Sequence, residues 1–299
     1  MNAKLTDFLR NIEERGVTPT GDIICDGNKH RIHIFGDKRG TLNGEYRFNG
    51  TRGYFKCYKR NIFVRHDPID KSDLSDRDLR NYRKELEYKR KQTLLEEQAS
   101  ARKAAKFANA ILDRSRPVDS HTYIRNKKIK PYSLKLYKRF LVMPLQDING
   151  KVHTLQYIFP NGQKRFLKNG RIKGHFHLIG GQFENEIVIT EGYATAASIH
   201  ESTSKTCAVA VSASNLMSVA KNLRKRLPNI KIIIAADNDY SSQSANIGIC
   251  AAKKAARAVA GFYCVPCLND NPRQKCDFNN VFVNEGAQTV VTQLMELKL

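Results

Sequence analysis

Three carboxylates in the last third of the chain stand where a sheet would present them together. Glu191 directly follows the apolar run EIVIT (186–190), and Asp237 closes the run KIIIAAD (231–237), with Asp239 two residues on. Residues two apart in an extended chain face the same way, so Asp237 and Asp239 can share one ion. Hard divalent ions such as Mg²⁺ take oxygen ligands and keep several waters, which leaves room for phosphate oxygens. Residues 186–299 hold only nine acids, and these three fall at strand ends. Within a basic protein such acids would otherwise be neutralised by Lys or Arg. Metal ions that bridge them to phosphates make better chemical sense. A lone Asp-x-Asp at a strand end also serves as a turn or helix cap. Glu-Gly after one strand and Asp-x-Asp after a later one is more specific.

The second group is basic. Lys164, Arg165, Lys168, Arg171 and Lys173 share one ten-residue stretch, with Arg139 upstream. Such residues neutralise phosphates and give salt-dependent affinity. Tyr157 and Phe159 are interleaved with them and can stack on single-stranded bases. As alternate strand residues they can equally pack in a core, the favoured reading for Phe159.

These residues need elements to position them. From 186 onward, apolar strands (186–190, 206–213, 231–237, 262–266) alternate with helices (193–201, 215–227, 245–260). That rhythm implies a mostly parallel sheet covered on both faces, with ligands at the carboxyl ends of its strands. Residues 120–182 give a short helix and then alternating runs broken by Asn149-Gly150 and Asn161-Gly162, which is a hairpin signal. Residues 67–115 are rich in helix formers with interleaved Glu and Lys/Arg, a solvated connecting helix with start signals at Asp67-Pro68 and Ser72 and a stop at Pro117. Residues 20–66 read as short strands: DIICDG, HRIHIFG, GEYRFNG, GYFKCY and NIFVRH. Their basic and aromatic residues can face nucleic acid, although half-buried strands look the same. Gly180-Gly181 marks a boundary before the first parallel strand. No internal repeat or low-complexity tract is visible.

Charge supports a polyanion partner. The chain has 299 residues and a net charge of +22. Residues 1–185 hold 39 Lys+Arg against 20 Asp+Glu, whereas residues 186–299 hold 12 against 9. Within 120–175 there are 13 basic residues and one acid, Asp147. A basic face of this kind usually meets nucleic acid; solubility is the plainer alternative. No apolar run reaches membrane-spanning length, and the N-terminus lacks the apolar core of a secretory signal, so no membrane association is expected. Seven cysteines, an odd number, do not read as a disulfide framework and point to the cytoplasm. Cys264, Cys267 and Cys276 resemble part of a zinc site but lack a fourth ligand nearby, and Cys25, His30, His33 and Cys57 match no known ribbon. Zinc is not expected. A Walker-type loop and a Gly-x-Ser-x-Gly elbow are both absent, which argues against an ATPase and a serine hydrolase.

The order strand–Glu-Gly, strand–helix, strand–Asp-x-Asp resembles the Toprim domain of bacterial-type primases, type IA and II topoisomerases and certain nucleases. The string Glu191-Gly192-Tyr193-Ala194-Thr195-Ala196 is similar to the motif of primases from conjugative plasmids and phage satellites. Asp26–Arg31, Gly36–Gly40 and Asn43-Gly44 resemble the N-terminal module of those proteins. Leu141–Asp147, Leu155–Ile158 and Lys164–Leu167 resemble their basic subdomain. Asp277-Phe278-Asn279-Asn280 resembles a tail motif Asp-Phe-Asn-Asp, with Asn280 in place of the second acid. The resemblance implies an α/β architecture. A small β-rich module (1–66), a charged helical connector (67–115) and a basic α+β primase subdomain (116–182) precede a Rossmann-like Toprim domain with a mostly parallel sheet (183–299).

It also implies an enzyme, a primase making short RNA primers on single-stranded DNA from NTPs, with two Mg²⁺ or Mn²⁺ ions. Glu191 would be the metal ligand or general base. Asp237 and Asp239 would hold metal, and Asp277 would be an outer ligand or structural support. Arg139, Lys164, Arg165, Lys168, Arg171 and Lys173 would bind template or triphosphate. The chain ends about 20 residues past the tail motif, so a helicase or replication initiator would act in trans, unless the chain is part of a larger enzyme. A Toprim nuclease and a non-catalytic single-strand-binding or recruitment protein of a mobile element are the rivals. The basic subdomain argues against the first and the intact acids against the second. A topoisomerase has no room for its tyrosine domain.

Overall fold

Period-two alternation over residues 29–66 builds an antiparallel meander. The computed structural model describes residues 3–67, 76–181, 183, 185–240, 246–271 and 273–299. It divides into two compact units, Met1–Lys89 and Arg90–Leu299. In the first, β1 (Pro19–Thr20), β2 (Lys29–Ile34), β3 (Gly44–Phe48), β4 (Gly53–Cys57) and β5 (Ile62–His66) lie in sequence order in one sheet. Ile32, Ile34, Phe48, Phe55 and Val64 point to one face and are buried. Helix α1 (Ala3–Glu13), an element additional to those expected, closes that face with Phe8 and Ile12, and the Phe8 ring stacks on Phe48 at 4.5 Å. The expected strand over 22–27 does not form. The Asp26 carboxylate accepts the Asn28 N–H at 2.8 Å and bonds the His30 ring, which bends the chain into a turn and leaves Ile24 half exposed.

Helix α2 (Asp76–Asp113) runs from the first unit into the second. The start signals at Pro68 and Ser72 lie outside the described residues. Far from being a bare spacer, its last turns bury Ala104, Ala108 and Ile111, and the last two pack on Val142 and Leu155. Those two belong to a four-stranded antiparallel sheet of β6 (Lys135–Tyr137), β7 (Phe140–Gln146), β8 (Val152–Ile158) and β9 (Lys164–Phe166), preceded by α3 (Thr122–Lys127). Both Asn-Gly pairs make the hairpin turns, with Gly150 and Gly162 at φ +81° and +82°.

The following sheet has the order β10-β12-β11-β13-β14. Strands β11 (Glu186–Thr190), β12 (Cys207–Val209), β13 (Lys231–Ala235) and β14 (Phe262–Cys264) are parallel, and β10 (His177–Ile179) adds an antiparallel edge. The mostly parallel α/β expectation therefore holds. Ile187, Ile189, Ile232 and Ile234 face α5 (Ala213–Arg226) and α6 (Ile247–Arg257). Val188, Ile233 and Ala235 face α4 (Tyr193–Thr203), α7 (Phe278–Glu285) and α8 (Ala287–Met295). Leu141, Met143 and Ile158 of the antiparallel sheet join that second core, which fixes the two sheets of this unit against each other. Among the described residues no helix is long and apolar enough to cross a membrane.

Candidate active site

The register of the parallel sheet brings the acids together. Thr190 pairs with Ala235, so β11 and β13 end side by side and release Glu191 and Asp237 at the same sheet edge. After Asp237 the chain is held open by Asn238, which is buried. Its backbone bridges Cys276, and its side-chain amide donates to the Pro266 carbonyl at 3.2 Å. Inward-pointing Asn238 leaves Asp237 and Asp239 outside it, as alternation requires. Asn246, the N-cap of α6, accepts the Asp239 N–H at 3.2 Å and the Ile249 N–H at 3.1 Å. Gly248 lies so close beneath this turn that a Cβ there would sit 2.1 Å from the Asp237 carbonyl oxygen. Only glycine fits.

Asp277 reaches the same place from α7, as its N-cap. Its carboxylate accepts the Asn280 N–H at 2.8 Å, while the Asn280 side chain accepts the Asp277 N–H at 3.0 Å, a reciprocal capping box. The residue in place of the second tail acid thus caps a helix. Phe278 is in the core, and the Asn279 amide donates to the Lys127 carbonyl and the Ser198 hydroxyl, tying α7 to α3 and α4.

A cleft of about 480 Å³ is lined by Glu191, Asp237 and Asp277 on one side and by Lys164, Lys127 and Gln156 on the other. Burial, then Glu191, Asp277 and Asp239, push the Asp237 carboxyl up to about 7, with Lys164 opposing. Glu191 is likewise raised, first by burial and then by Asp239, while the Ala213 N–H at the start of α5 bonds its carboxylate. The chain reaches that N–H through Val211, another lining residue, at φ +65°, a strained conformation for a β-branched side chain. Asp239 is paired with Lys275 at 2.5 Å, which raises the Lys275 ammonium. Asp237 Oδ1 is buried and finds no hydrogen-bond partner among the described residues.

Of the six basic candidates, Lys164 alone lines the cleft. Strand alternation explains why its neighbour does not. Lys164 pairs with Ile158, on the side of the shared core, and Arg165 pairs with Tyr157 on the other face, its guanidinium 5.7 Å from the Phe159 ring centre. Phe159 packs on Phe140 at 4.8 Å, and Arg139 lies over the Phe140 ring. Lys168, Arg171 and Lys173 follow β9 on an exposed loop that Asn215 ties to α5 through the Gly174 N–H and the Ile172 and His175 carbonyls. Lys127 and Lys275 are the cations that sequence reasoning missed: Lys127 is one of four cations between 125 and 130 with nothing local to separate it from the others, and Lys275 lies outside the basic stretch that was singled out.

An oxygen-only donor set, an orphaned buried carboxylate oxygen and two carboxyls raised by burial and then by their neighbours suit a divalent cation. Among the described residues no three His, Cys, Asp or Glu side chains enclose a metal by themselves. Magnesium is usually held by one or two carboxylates with waters and phosphates making up the rest. Cys264 is buried in β14 with its thiol pushed up to about 12, and Cys276 contacts the Pro266 carbonyl.

Residues 186–288 match the family model of the Toprim domain. The chain is 31% identical over 278 residues to DNA primase TraC of Escherichia coli, which covers 85% of this chain and 26% of that protein. A second DNA primase TraC from Escherichia coli is 30% identical over 256 residues, covering 80% of this chain and 17% of that one. The chain therefore spans about a quarter or less of the length of these relatives. The structure of the DnaG primase catalytic domain bound to ssDNA aligns with a TM-score of 0.48 at 10% identity, covering 67% of this chain and 80% of that one. Residues 186–288 are thus a Toprim domain, and most of the chain is homologous to one segment of a DNA primase.

Proposed function

We propose that this Toprim-bearing chain is a primase core that copies single-stranded DNA into short RNA primers from NTPs. One observation carries the reading. A single cleft sets the carboxylates of Glu191, Asp237 and Asp277 opposite Lys164, so one wall suits cations and the other suits phosphates. Similarity to DNA primase TraC supports the same reaction class.

Asp237, Asp239 and Glu191 would hold Mg²⁺ or Mn²⁺, with Asp277 in support. Two bound ions would stabilise both the attacking and the leaving oxygen of an in-line displacement at the α-phosphate. The chain's own groups do the rest. Glu191, raised above the ordinary carboxyl range, is suited to take the proton of a 3′-hydroxyl at its Oε atoms. The Ala213 N–H fixes the direction of that carboxylate. Lys164 Nζ holds the triphosphate, and Lys127 adds a second positive charge at the mouth. Template DNA would run along the basic antiparallel subdomain. A helicase or replication initiator would act in trans in the cytoplasm.

The test is incubation with single-stranded DNA, labelled NTPs and Mg²⁺ or Mn²⁺. Short labelled RNA that disappears with Glu191→Gln is expected. Loss of DNA without NTP incorporation would instead identify a metal-dependent nuclease. Binding without any product, unchanged by Glu191→Gln, would leave a recruitment protein.

A further inference from the structure

The wall of the cleft opposite the acids holds a polar side chain that the chemistry above leaves unused. Gln156 lies on β8, paired with Met143 of β7. Alternation puts it on the same face as Ile158, and that face contributes Leu141, Met143, Leu145 and Ile158 to the shared apolar core. Gln156 itself is 4% exposed, and its side-chain amide has no hydrogen-bond partner among the described residues. The surface it keeps lines the cleft. An unpaired amide in such a setting works against folding, and a Leu or Met would fill the position without that cost. Packing therefore gives no reason for a glutamine here. A hydrogen-bonding ligand in the cleft does.

The position narrows which part of a ligand it meets. Lys164 pairs with Ile158, so it stands on the same face as Gln156 and two residues further along the ladder. Two residues of strand are roughly 7 Å. With phosphates on Lys164, that step leads toward the nucleoside. A site that copies a template must accept all four bases, because pairing with the template chooses among them. The groups common to every NTP are the triphosphate and the ribose. The ribose is neutral, which suits an uncharged side chain. Its hydroxyls both donate and accept hydrogen bonds, and an amide supplies an acceptor and two donors.

We propose that Gln156 selects ribonucleotides, its amide bonding the 2′-hydroxyl of the incoming NTP. Resting on the primer-synthesis reading, this assignment adds to it the residue that reads the sugar. A site that bonds a substrate hydroxyl rejects the analogue lacking it, because a buried polar group is then covered and left unpaired. A bound dNTP would do that to Gln156. Lys164 and the acids meet groups that NTPs and dNTPs share, so they bind both alike.

The test is template-directed synthesis by the full chain with Mg²⁺, using NTPs or dNTPs, read as kcat/KM for each. The unsubstituted chain should prefer NTPs about a hundredfold or more. Gln156→Leu should lower kcat/KM for NTPs about tenfold or more and change that for dNTPs about twofold at most, so the preference shrinks. Gln156→Met should do the same, and both variants should melt no lower than the unsubstituted chain. An equal fall for NTPs and dNTPs, a fall confined to one base, or an unchanged preference would overturn the proposal. Calorimetry with Mg²⁺ and no template separates it from the reading it rests on. Tighter binding of ATP than dATP that vanishes in Gln156→Leu, in a chain that makes no primer, would overturn primer synthesis and keep the sugar contact. Primers made with a sugar preference indifferent to Gln156 would do the reverse.

Discussion

The two sheets at the ends of the chain show two ways for a fold to display chemistry. The parallel sheet of β10–β14 is covered by helices on both faces. Most of its side chains are consumed by packing, and the acids of the cleft appear where strands stop, at Glu191 and Asp237. The meander of β1–β5 is covered on one face by α1. Its free face displays whole rows of side chains. A doubly covered sheet concentrates a few groups at an edge, where burial and mutual repulsion alter their protonation. A singly covered sheet spreads many groups over a surface.

If that contrast is right, substitutions at the sheet edge act steeply and those at faces act gradually. Asp237→Asn should have the largest effect, lowering primer synthesis by about a thousandfold or more, read as labelled RNA per enzyme. The same substitution sharpens the electrostatic argument. Because the folded Asp237 carboxyl titrates at about 7 and the unfolded one near 3.9, the folded state binds the extra proton between those values. Metal-free stability should therefore fall as pH rises from about 4 to 7, by about 1–3 kcal/mol. In Asp237→Asn that decline should flatten, and in the unsubstituted protein Mg²⁺ should restore stability at pH 8; urea melts across pH check both.

Gly248→Ala comes next. A methyl group 2.1 Å from the Asp237 carbonyl must push the α6 N-terminus off the Asp237–Asp239 turn. A loss of about 2–4 kcal/mol is expected, measured as a lower urea midpoint. Lys164→Ala should raise KM for NTP about tenfold. Arg165→Ala, one residue away on the opposite face, should leave KM within about twofold. Equal effects would break the assignment of Lys164 to the cleft. Smallest is Asn280→Ala, which removes half of the α7 capping box for about 1 kcal/mol and should change Tm while sparing the chemistry.

Local patterns made much of this legible. EIVIT forms β11 over the residues expected, and both Asn-Gly pairs turn where they stand. The acids Glu191 and Asp237 could be singled out because each follows a strand end, and Asp277 through the resemblance of its tail motif. The basic wall was not legible in the same way. Five cations within ten residues look alike in sequence, yet only Lys164 lines the cleft, because a strand sends neighbours to opposite faces and the loop after β9 is tied elsewhere by Asn215. Lys127 contributes from a short helix far away in the chain. The DIICDG run carried enough β-formers to suggest a strand, and one side-chain turn at Asp26 diverted it.

The sequence by itself determined the order of strands and helices over 186–266 and which acids stand at strand ends. Those properties depend on periodicity and on bonds between near neighbours. Tertiary structure decided which cation shares a cleft with the acids, which carboxylate loses its hydrogen-bond donors, and which sheet face is left open. These follow from long-range packing and burial. Desolvation and charge repulsion depend on distances through space, and strings of residues do not encode them until the chain has closed around them.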